Sequence, residues 1–322
     1  MPAEQRPKFR GAVRSESSAA GLKQVFASHI ASGTLEIVYI PDIARLGAFD
    51  TAVKECTHIA HIASPLVVGA RDVEEEVLVP AVQGMVGLLK SALHVKSLQS
   101  VVVTASFAAV LDPMHGLRPG YAYTSKDWLP ISYEAAADPD LDLSFWPELY
   151  RPFITYMASK KLAEEAAWNF YHEVKPSWRF NTVNPPYIGG PNVLPLPKRA
   201  DSLSFSQKLI WNVASSKPGD KLTEVDFPYW VDVRDVARVH VRALIATAAD
   251  GERFVVGKHK TTYAGMSDVL RNQLGLHCSE ENQELSCYDI ESKSCEEVLG
   301  IDSWVGFEDM VRDTIVQVTA LS

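Results

Sequence analysis

Three residues of this chain have the types and the spacing needed for proton transfer at a carbonyl group: Ser106, Tyr156 and Lys160. Tyr156 and Lys160 stand four residues apart in Tyr-Met-Ala-Ser-Lys, so a helix would place both side chains on one face. There the ammonium group would lower the pKa of the phenol, which would then exchange a proton with a carbonyl oxygen near neutral pH. Ser106 ends the run Val-Val-Val-Thr-Ala-Ser, where its hydroxyl would hold the same oxygen. The Tyr-x-x-x-Lys spacing alone also arises by chance on surface helices, and the serine after a buried strand makes the pattern more specific.

The elements that would position these residues alternate between short apolar runs and longer amphipathic stretches. The runs predict strands at Phe9–Val13, Leu35–Ile40, His58–Ile62, Ser100–Ala105, Arg179–Val183 and Arg253–Val256. The stretches predict helices near Ala19–Ser28, Val73–Leu93, Tyr156–Lys175, Ser204–Ala214 and Val233–Ala248. Several strands are almost continuously apolar, as expected where helices cover both faces of a parallel sheet. The alternation predicts an α/β fold with a doubly wound, Rossmann-like parallel sheet.

Two regions, 107–155 and 185–232, interrupt this alternation with many prolines and aromatic residues. Long irregular connections in a compact domain are usually functional, and ligands of open α/β sheets bind beyond the carboxyl ends of the strands. Both regions follow such ends, so we expect them to form walls of a substrate pocket. Their aromatic residues would line that pocket or belong to an ordinary core, and the sequence leaves both readings open: Trp146, Tyr150, Phe153, Tyr187, Phe227, Tyr229 and Trp230.

The composition narrows the class of protein. The chain has 322 residues, 47% hydrophobic and 22% charged, which suits one large domain or two interleaved ones. The net charge of −9 and the lack of a basic run argue against nucleic acid as a partner. No apolar stretch is long enough for a membrane span or a signal peptide. The sparse cysteines predict reduced thiols in a cytoplasmic protein: Cys56, Cys278, Cys287 and Cys295.

Other chemically suggestive residues have simpler interpretations. His58 and His61 lie on one predicted strand, but no third ligand stands at useful spacing, so we predict structural histidines and no metal site. Asp232, Arg234 and Asp235 begin a predicted helix, where acidic groups favour the helix dipole. They are interpreted as a structural ion pair.

A series of short motifs follows in one order from Arg10 to about Thr314. They are Gly-Ala-Val-Arg-Ser at 11–15, Pro-Asp-Ile at 41–43, His-Ile-Ala-Ser-Pro at 61–65, Pro-Ala-Val-Gln-Gly at 80–84, Thr-Ala-Ser-Phe-Ala-Ala-Val at 104–110, Tyr-x-x-x-Lys, Asn-Pro-Pro at 184–186 and Val-Asp-Val-Arg-Asp-Val-Ala at 231–237. With these motifs the chain resembles the extended short-chain dehydrogenase/reductases, in the branch of plant dihydroflavonol reductases and fungal aldehyde and ketone reductases.

The resemblance implies a role for each matching residue. Tyr156 would be the proton donor, Lys160 would hold the nicotinamide ribose, and Ser106 would fix the substrate carbonyl. Arg14 matches the position that meets the 2′-phosphate of NADP, and the planar guanidinium of arginine suits a phosphate group. The alternative is that Arg14 is a solvated charge, as a lone arginine after a strand ordinarily is. The other implied cofactor positions lie near the adenine, along the cofactor and around the nicotinamide: Asp42; Ala63, Ser64 and Thr104; Pro185, Tyr187 and Ile188. Thr104 is by itself typical of a packing residue.

One part of the family pattern has no match. Family members begin with a strand, a glycine-rich turn and a helix that cradles the pyrophosphate. Only Gly11 precedes Arg14 here, whereas such a unit takes roughly 30 residues. We therefore expect unpaired edges on the two strands that flank this position, and each buried unpaired backbone group costs about 1–3 kcal/mol. Three explanations stay open: the coding sequence starts upstream of Met1 or lacks an exon; the pocket works without a dinucleotide; or the chain binds NADPH weakly or is a non-functional relic.

Together these observations predict a truncated dinucleotide-binding domain over 1–185 and a substrate-capping region over 186–322, interleaved with a last sheet strand at about 252–257. The predicted activity is NADPH-dependent reduction of an aldehyde or ketone on a small organic molecule, in secondary metabolism, by a monomer or homodimer. The alternatives are a cofactor-independent acid–base catalyst of aldol-type, dehydration, isomerisation or cyclisation reactions, and a non-catalytic remnant.

Overall fold

The computed structural model describes residues 7–64, 70–196 and 203–319. Its strands are β1 Phe9–Val13, β2 Leu35–Tyr39, β3 His58–His61, β4 Ser100–Thr104, β5 Ala122–Tyr123, β6 Arg179–Asn184, β7 Tyr187–Gly189, β8 Tyr229–Asp232, β9 Arg253–Val255, β10 His259–Lys260 and β11 Asp289–Ile290. Its α-helices are α1 Glu16–Val25, α2 Ala27–Ala31, α3 Val79–Ala92, α4 Tyr133–Ala137, α5 Ile154–Val174, α6 Phe205–Ala214, α7 Val233–Ile245, α8 Tyr263–Leu274, α9 Lys293–Glu297 and α10 Phe307–Thr319. A π-helical turn at Glu74–Leu78 leads into α3.

The central sheet has four parallel strands in the order β3-β4-β6-β9. Side chains of a strand alternate between the two faces, and β4 shows what covers each face. Val101 and Val103 share a core with residues of α3 and α5, whereas Val102 packs with residues of α7. Because both faces are covered, β4 is apolar along its length. The predicted α/β fold with a doubly wound parallel sheet is confirmed.

A separate pair of parallel strands, β1 and β2, lies beside this sheet. Arg10 and Glu36 are direct partners in the pair and form an ion pair of 2.8 Å. Within the described residues β1 pairs only with β2, and β3 pairs only with β4. The two sheets share one hydrophobic cluster, in which Ile40 and Ile59 are both buried. Within the described ranges, β1 and β3 therefore each have one edge without a partner strand, as expected.

The second half of the chain adds a three-stranded sheet in the order β10-β8-β7. It packs with α6, α8 and α10 around a cluster that includes Trp230, Met266 and Met310. β9, which lies between β8 and β10 in the chain, joins the central sheet instead. This interleaving agrees with the predicted position of the last sheet strand, and the division at residue 185 stays a prediction.

The region 107–155 is ordered and packed. Short helices occur throughout it, and Phe107, Tyr123 and Tyr150 are almost completely buried in one cluster. Of the seven aromatic residues whose place the sequence left open, only Phe153 and Tyr187 keep partial exposure. The ordinary-core interpretation therefore holds for the other five.

α8 and α10 were not predicted from the sequence, although α8 carries recognisable end signals. The Thr262 hydroxyl accepts a hydrogen bond from the Gly265 amide at 3.0 Å, and Gly275 ends the helix with a φ of 65°. Both are standard helix boundary residues. The predicted ion pair at the start of α7 is present, with Arg234 bound to Asp232 at 2.8 Å. Within the described ranges, no helix is long and apolar enough to cross a membrane.

Candidate active site

Ser106 is positioned by the end of β4 and by its neighbour β6. It is the N-cap of a short 3-10 helix, Phe107–Ala109, and its hydroxyl accepts a hydrogen bond from the Ala108 amide at 3.1 Å. The Phe107 amide donates to the carbonyl oxygen of Pro185 at 2.9 Å. The Ser106 carbonyl accepts from the Asn184 side-chain amide at 3.2 Å. These bonds fix the backbone on both sides of the serine at the carboxyl edge of the sheet.

Tyr156 and Lys160 lie in the first turns of α5, on one face, as predicted. Buried Ile154, Met157 and Ala158 fix this end of the helix in the core. The Lys160 ammonium nitrogen is 5.7 Å from the centre of the Tyr156 ring. The Ser106 side chain lies close enough to Tyr156 to lower the pKa of its phenol. The structure therefore brings together the three residues that the spacing had selected.

The pKa of Tyr156 differs from the prediction in its direction. Burial raises the pKa of Tyr156, and the hydrogen bond from Ser106 opposes that increase. Burial also lowers the pKa of Lys160 to about 8, opposed by the negative charge of Glu164. The expectation that Lys160 lowers the pKa of Tyr156 was wrong for this arrangement, because burial of the phenol dominates. Tyr156 is therefore protonated at neutral pH, as a proton donor must be.

Four of the predicted cofactor positions follow the carboxyl ends of strands and are exposed. Arg14 comes directly after β1 and makes no hydrogen bond or ion pair with the described residues. Asp42 follows β2, where its carboxylate accepts a hydrogen bond from the Ala44 amide at 2.9 Å. Ala63 and Ser64 follow β3 and immediately precede residues 65–69, so Pro65 of the motif lies outside the described residues. The carboxylate of Asp42 closes a local turn and the other three side chains stay open to solvent.

The remaining predicted cofactor positions are held by the protein itself. The Thr104 hydroxyl bonds to the imidazole of His240 at 2.7 Å, on the α7 side of the sheet. Pro185 is buried and binds the Phe107 amide through its carbonyl. The Tyr187 hydroxyl donates to the carboxylate of Asp226 at 3.0 Å, and the Ile188 carbonyl accepts from the Ser206 hydroxyl at 2.7 Å. Their side chains or backbone atoms therefore already have partners within the fold.

Comparisons with known proteins identify relatives over most of the chain. An uncharacterised oxidoreductase of Schizosaccharomyces pombe is 38% identical over 271 residues, which cover 83% of this chain and 75% of that protein. An NADPH-dependent methylglyoxal reductase of Saccharomyces cerevisiae is 31% identical over 271 residues, which cover 82% of this chain and 74% of that protein. The chain belongs to the extended short-chain dehydrogenase/reductase family.

A solved structure supports the same assignment to the short-chain dehydrogenase/reductases. The yeast methylglyoxal/isovaleraldehyde reductase, solved in complex with NADPH, matches this fold with a TM-score of 0.84 and 27% identity, over 97% of this chain and 91% of that one. No family model matches the chain. The resemblance read from the motifs is confirmed, and so is the fold that it implied.

Lys160 and Arg14, two of the positions that the resemblance assigns to the cofactor, have no ion-pair partner among the described residues. Lys160 is partly buried and forms no ion pair with the described residues. Arg14 is exposed and unpaired within the same ranges, as a 2′-phosphate partner would be. Gly11 is not a close-approach glycine, because an added Cβ would meet Leu35 at an ordinary 3.6 Å. The described part of the chain thus leaves both cationic side chains without an ion-pair partner and contains no close-approach glycine before Arg14.

Sequence reasoning missed residues that surround the three catalytic candidates. Glu164 lies one turn beyond Lys160 and is completely buried, and it binds Asn184, Thr182 and Arg253. The signal available in the sequence was a carboxylate four residues after the lysine, on the same helix face. His61 is buried as expected for a structural histidine, and the described residues contain no cluster able to hold a metal ion.

A cleft of about 930 Å³ elsewhere on the molecule is not part of this site. Its lining includes Arg10, near the start of β1, and Ser97, just before β4. These residues lie at the amino ends of parallel strands, opposite to the end that carries Ser106. Arg10 is already bound to Glu36 and to two backbone carbonyls. We assign no function to this cleft.

Proposed function

We propose that this chain is an NADPH-dependent reductase of aldehydes or ketones on small organic molecules. The observation that carries the proposal is that the three predicted residues meet at one place. The Ser106 side chain acts on the phenol of Tyr156, and the Lys160 ammonium nitrogen, one helical turn further on, lies 5.7 Å from the centre of the Tyr156 ring. The group lies at the carboxyl edge of a parallel sheet, where open α/β folds bind their ligands. The yeast methylglyoxal reductase named above, whose structure was solved with NADPH, supports it.

Each of the three residues has a defined task in this reaction. NADPH, when bound, supplies the hydride that forms the new carbon–hydrogen bond at the carbonyl carbon. Ser106 donates a hydrogen bond to the carbonyl oxygen and fixes its direction. Tyr156 gives its hydroxyl proton to that oxygen as the C=O double bond becomes a single bond, and solvent later returns the proton. Lys160 holds a positive charge beside the oxygen on which negative charge develops.

The cofactor would be held at two places in the described residues. Lys160 would donate to the nicotinamide ribose, and Arg14 would pair with the 2′-phosphate through its planar fork. This proposed contact distinguishes NADPH from NADH, which has a hydroxyl at that position. Ala63 and Ser64 would lie along the cofactor and Asp42 near the adenine, all exposed after their strands. Pro185 and Ile188 would contribute the wall beside the nicotinamide.

Apolar aromatic side chains next to the site favour a substrate with an apolar group. Phe153, three residues before Tyr156, contacts Phe205 edge-on, with ring centres 5.9 Å apart. Phe205 also contacts Tyr187 and is 53% exposed, which is unusual for a phenylalanine. We propose that this group receives the substrate. A cofactor-free reaction is not favoured, because the yeast methylglyoxal reductase named above is NADPH-dependent.

We also propose that the protein works in the cytoplasm. All four cysteines are unpaired, as is usual in a reducing compartment. Monomer or homodimer stays the prediction for its assembly.

Binding and turnover test the proposed function in sequence. NADPH is titrated into the chain while the fluorescence of its seven tryptophans is followed, with NADH as the comparison. Methylglyoxal and isovaleraldehyde then serve as carbonyl probes in a spectrophotometric assay. We expect saturable binding that prefers NADPH, and turnover of at least one probe. A folded chain that binds neither nucleotide would overturn the proposal.

Replacing Tyr156 by phenylalanine tests the assigned proton donor. We expect Tyr156→Phe to lower kcat by about 10²–10⁴-fold, the usual contribution of a positioned general acid, while NADPH binding is retained. Tyr171→Phe is the matched control, since Tyr171 lies on the same helix and binds Asp250 at 2.8 Å, far along α5 from the site. If Tyr156→Phe turned over at the wild-type rate, Tyr156 would not be the donor.

A further inference from the structure

A buried ion pair joins α5 to β9 behind the candidate active site. Glu164 is fully buried and Arg253 is 6% exposed. The guanidinium meets the carboxylate with two nitrogens, Nε to Oε1 at 2.8 Å and Nη2 to Oε2 at 3.1 Å. Arg253 also lies 3.6 Å above the ring of Trp128. Its remaining donors bind backbone carbonyls of Ala109, Ser125 and Asp127.

A contribution to the stability of the fold does not by itself explain why this ion pair is buried. Removing two charges from water is costly, and well-packed apolar residues of similar volume often stabilise a fold as much or more. The contacts of Glu164 beyond Arg253 indicate what else the carboxylate does.

The Glu164 carboxylate reaches the end of β6 and, through it, the Ser106 segment. Its Oε2 accepts a hydrogen bond from the Asn184 side-chain amide at 2.7 Å, and its Oε1 accepts from the Thr182 hydroxyl at 2.7 Å. The same Asn184 amide donates to the carbonyl oxygen of Ser106 at 3.2 Å. Glu164 therefore orients Asn184, and Asn184 holds the backbone of the residue whose hydroxyl meets Tyr156.

Glu164 also places a negative charge on the face of α5 that carries Tyr156 and Lys160, at the next i+4 position. Burial lowers the pKa of Lys160 to about 8, and Glu164 is the group that opposes this effect. His61 of β3 also senses Lys160: burial and then the lysine charge lower its pKa to about 4, so His61 is neutral at pH 7. Tyr156 is neutral as well, and Arg253 is paired with Glu164.

We propose that Glu164 is a positioning residue of the reductase site, whose buried carboxylate fixes Ser106 through Asn184 and holds a negative charge one helical turn from Lys160. The expected effect of Glu164 on catalysis rests on the proposed function, whereas its expected effect on the pKa of Lys160 does not. Arg253 serves in this arrangement as the counter-ion of the buried carboxylate and sets its orientation through two guanidinium nitrogens.

Replacing Glu164 by glutamine tests the charge with little change of shape. The matched control is Glu165→Gln, because Glu165 is only partly buried and pairs with Lys161 at 2.8 Å, the same i,i+4 spacing on another face of the helix. The pKa of Lys160 is measured without cofactor by competitive acetylation from pH 6 to 10, read by mass spectrometry of the Lys160 peptide. We expect Glu164→Gln to lower it by about one unit, the lower end of what a neighbouring opposite charge does, and Glu165→Gln to leave it unchanged.

Activity is measured on the same variants. We expect kcat of Glu164→Gln to fall by about 10²-fold, as for a small displacement of a reacting group, and the alkaline decline of kcat/KM to move to lower pH with Lys160. Asn184→Ala, which keeps the ion pair, should lower kcat by a similar factor without moving the Lys160 pKa. Should Glu164→Gln fail to fold, Glu164→Gln with Arg253→Met removes both buried charges and is tested in the same way.

The outcomes separate this inference from the proposed function. An unchanged Lys160 pKa in the glutamine variant, or unchanged kcat in both Glu164→Gln and Asn184→Ala, would overturn the positioning role. Wild-type chain that turns over no carbonyl would overturn the proposed function instead, and the acetylation measurement would still decide the electrostatic part.

Discussion

Lys160 is the residue whose ionisation determines the pH range of the proposed reaction. Its pKa is lowered to about 8 because its ammonium group is largely removed from water, and Glu164 limits the decrease. The pKa of Tyr156 is raised by burial, so the phenol keeps its proton throughout the range in which Lys160 titrates. The two groups are therefore both in the form that reduction needs below about pH 8.

We predict that kcat/KM for NADPH falls as pH rises through about 8, because the cationic form of Lys160 is then lost. This parameter reports ionisations of the free enzyme, and it is measured from pH 6 to 10 at saturating carbonyl substrate. Lys160→Arg keeps a positive charge to far higher pH, so its profile should be flat through pH 9 at a reduced level. A decline at the same pH in both proteins would assign it to another group.

At the scale of elements, the junction of β7, β8, α7 and α10 depends on one glycine. Gly190 follows β7 with a φ of 104°, a conformation that side chains disfavour. An added Cβ would lie 2.9 Å from the carboxylate of Asp232 and 2.9 Å from Val233. The Gly190 amide also donates to the Thr314 hydroxyl of α10 at 2.7 Å. A side chain at position 190 is therefore disfavoured by the backbone conformation and by the lack of space, and a shift of the backbone would disturb the hydrogen bond to Thr314.

We predict that Gly190→Ala lowers the free energy of unfolding by about 1–3 kcal/mol, the cost of a strained backbone residue, and that crowding against Asp232 adds to it. Urea denaturation followed by circular dichroism measures the change. Gly219→Ala is the control, because Gly219 has a φ outside the left-handed region and no atom within 4 Å of an added Cβ. Equal stabilities of the two variants would show that the junction tolerates a side chain.

Over the whole molecule, the sequence predicted the strands and spacings that depend on a local pattern, and it did not predict the contacts between residues that are far apart in the chain. The apolar run of β4 and the spacing of Tyr156 and Lys160 are local, and both were predicted correctly. Arg253 and Glu164 are far apart in the chain, and no periodicity relates them. The assignment of Tyr187 to the nicotinamide stays a prediction, and the sequence did not show that its hydroxyl binds Asp226, a residue 39 positions away.

Asp226 connects parts of the chain that are distant in sequence. Its carboxylate accepts hydrogen bonds from Tyr187 at 3.0 Å and from Tyr263 at 3.3 Å, and the Tyr150 hydroxyl donates to its backbone carbonyl at 3.0 Å. Asp226 is 7% exposed, and no described cation forms an ion pair with it. Burial consequently raises the pKa of its carboxyl group, although the hydrogen bonds oppose the increase. The folded state therefore favours the protonated form more than the unfolded chain does.

The sign of this shift gives a pH dependence for the stability of the whole fold. A carboxyl group with a raised pKa in the folded state binds more protons there than in the unfolded chain, so its contribution to stability decreases as pH rises. The contribution is fully present below the unfolded pKa of about 3.9 and is lost as pH rises through the raised folded value. We predict that Asp226→Asn, which stays neutral, gains stability relative to wild type across this window. Urea unfolding from pH 4 to 8 measures the difference in stability, and Asp138→Asn, at an exposed position, is the control. A difference between Asp226→Asn and wild type that does not change with pH would show that the carboxyl group titrates alike in the folded and unfolded states.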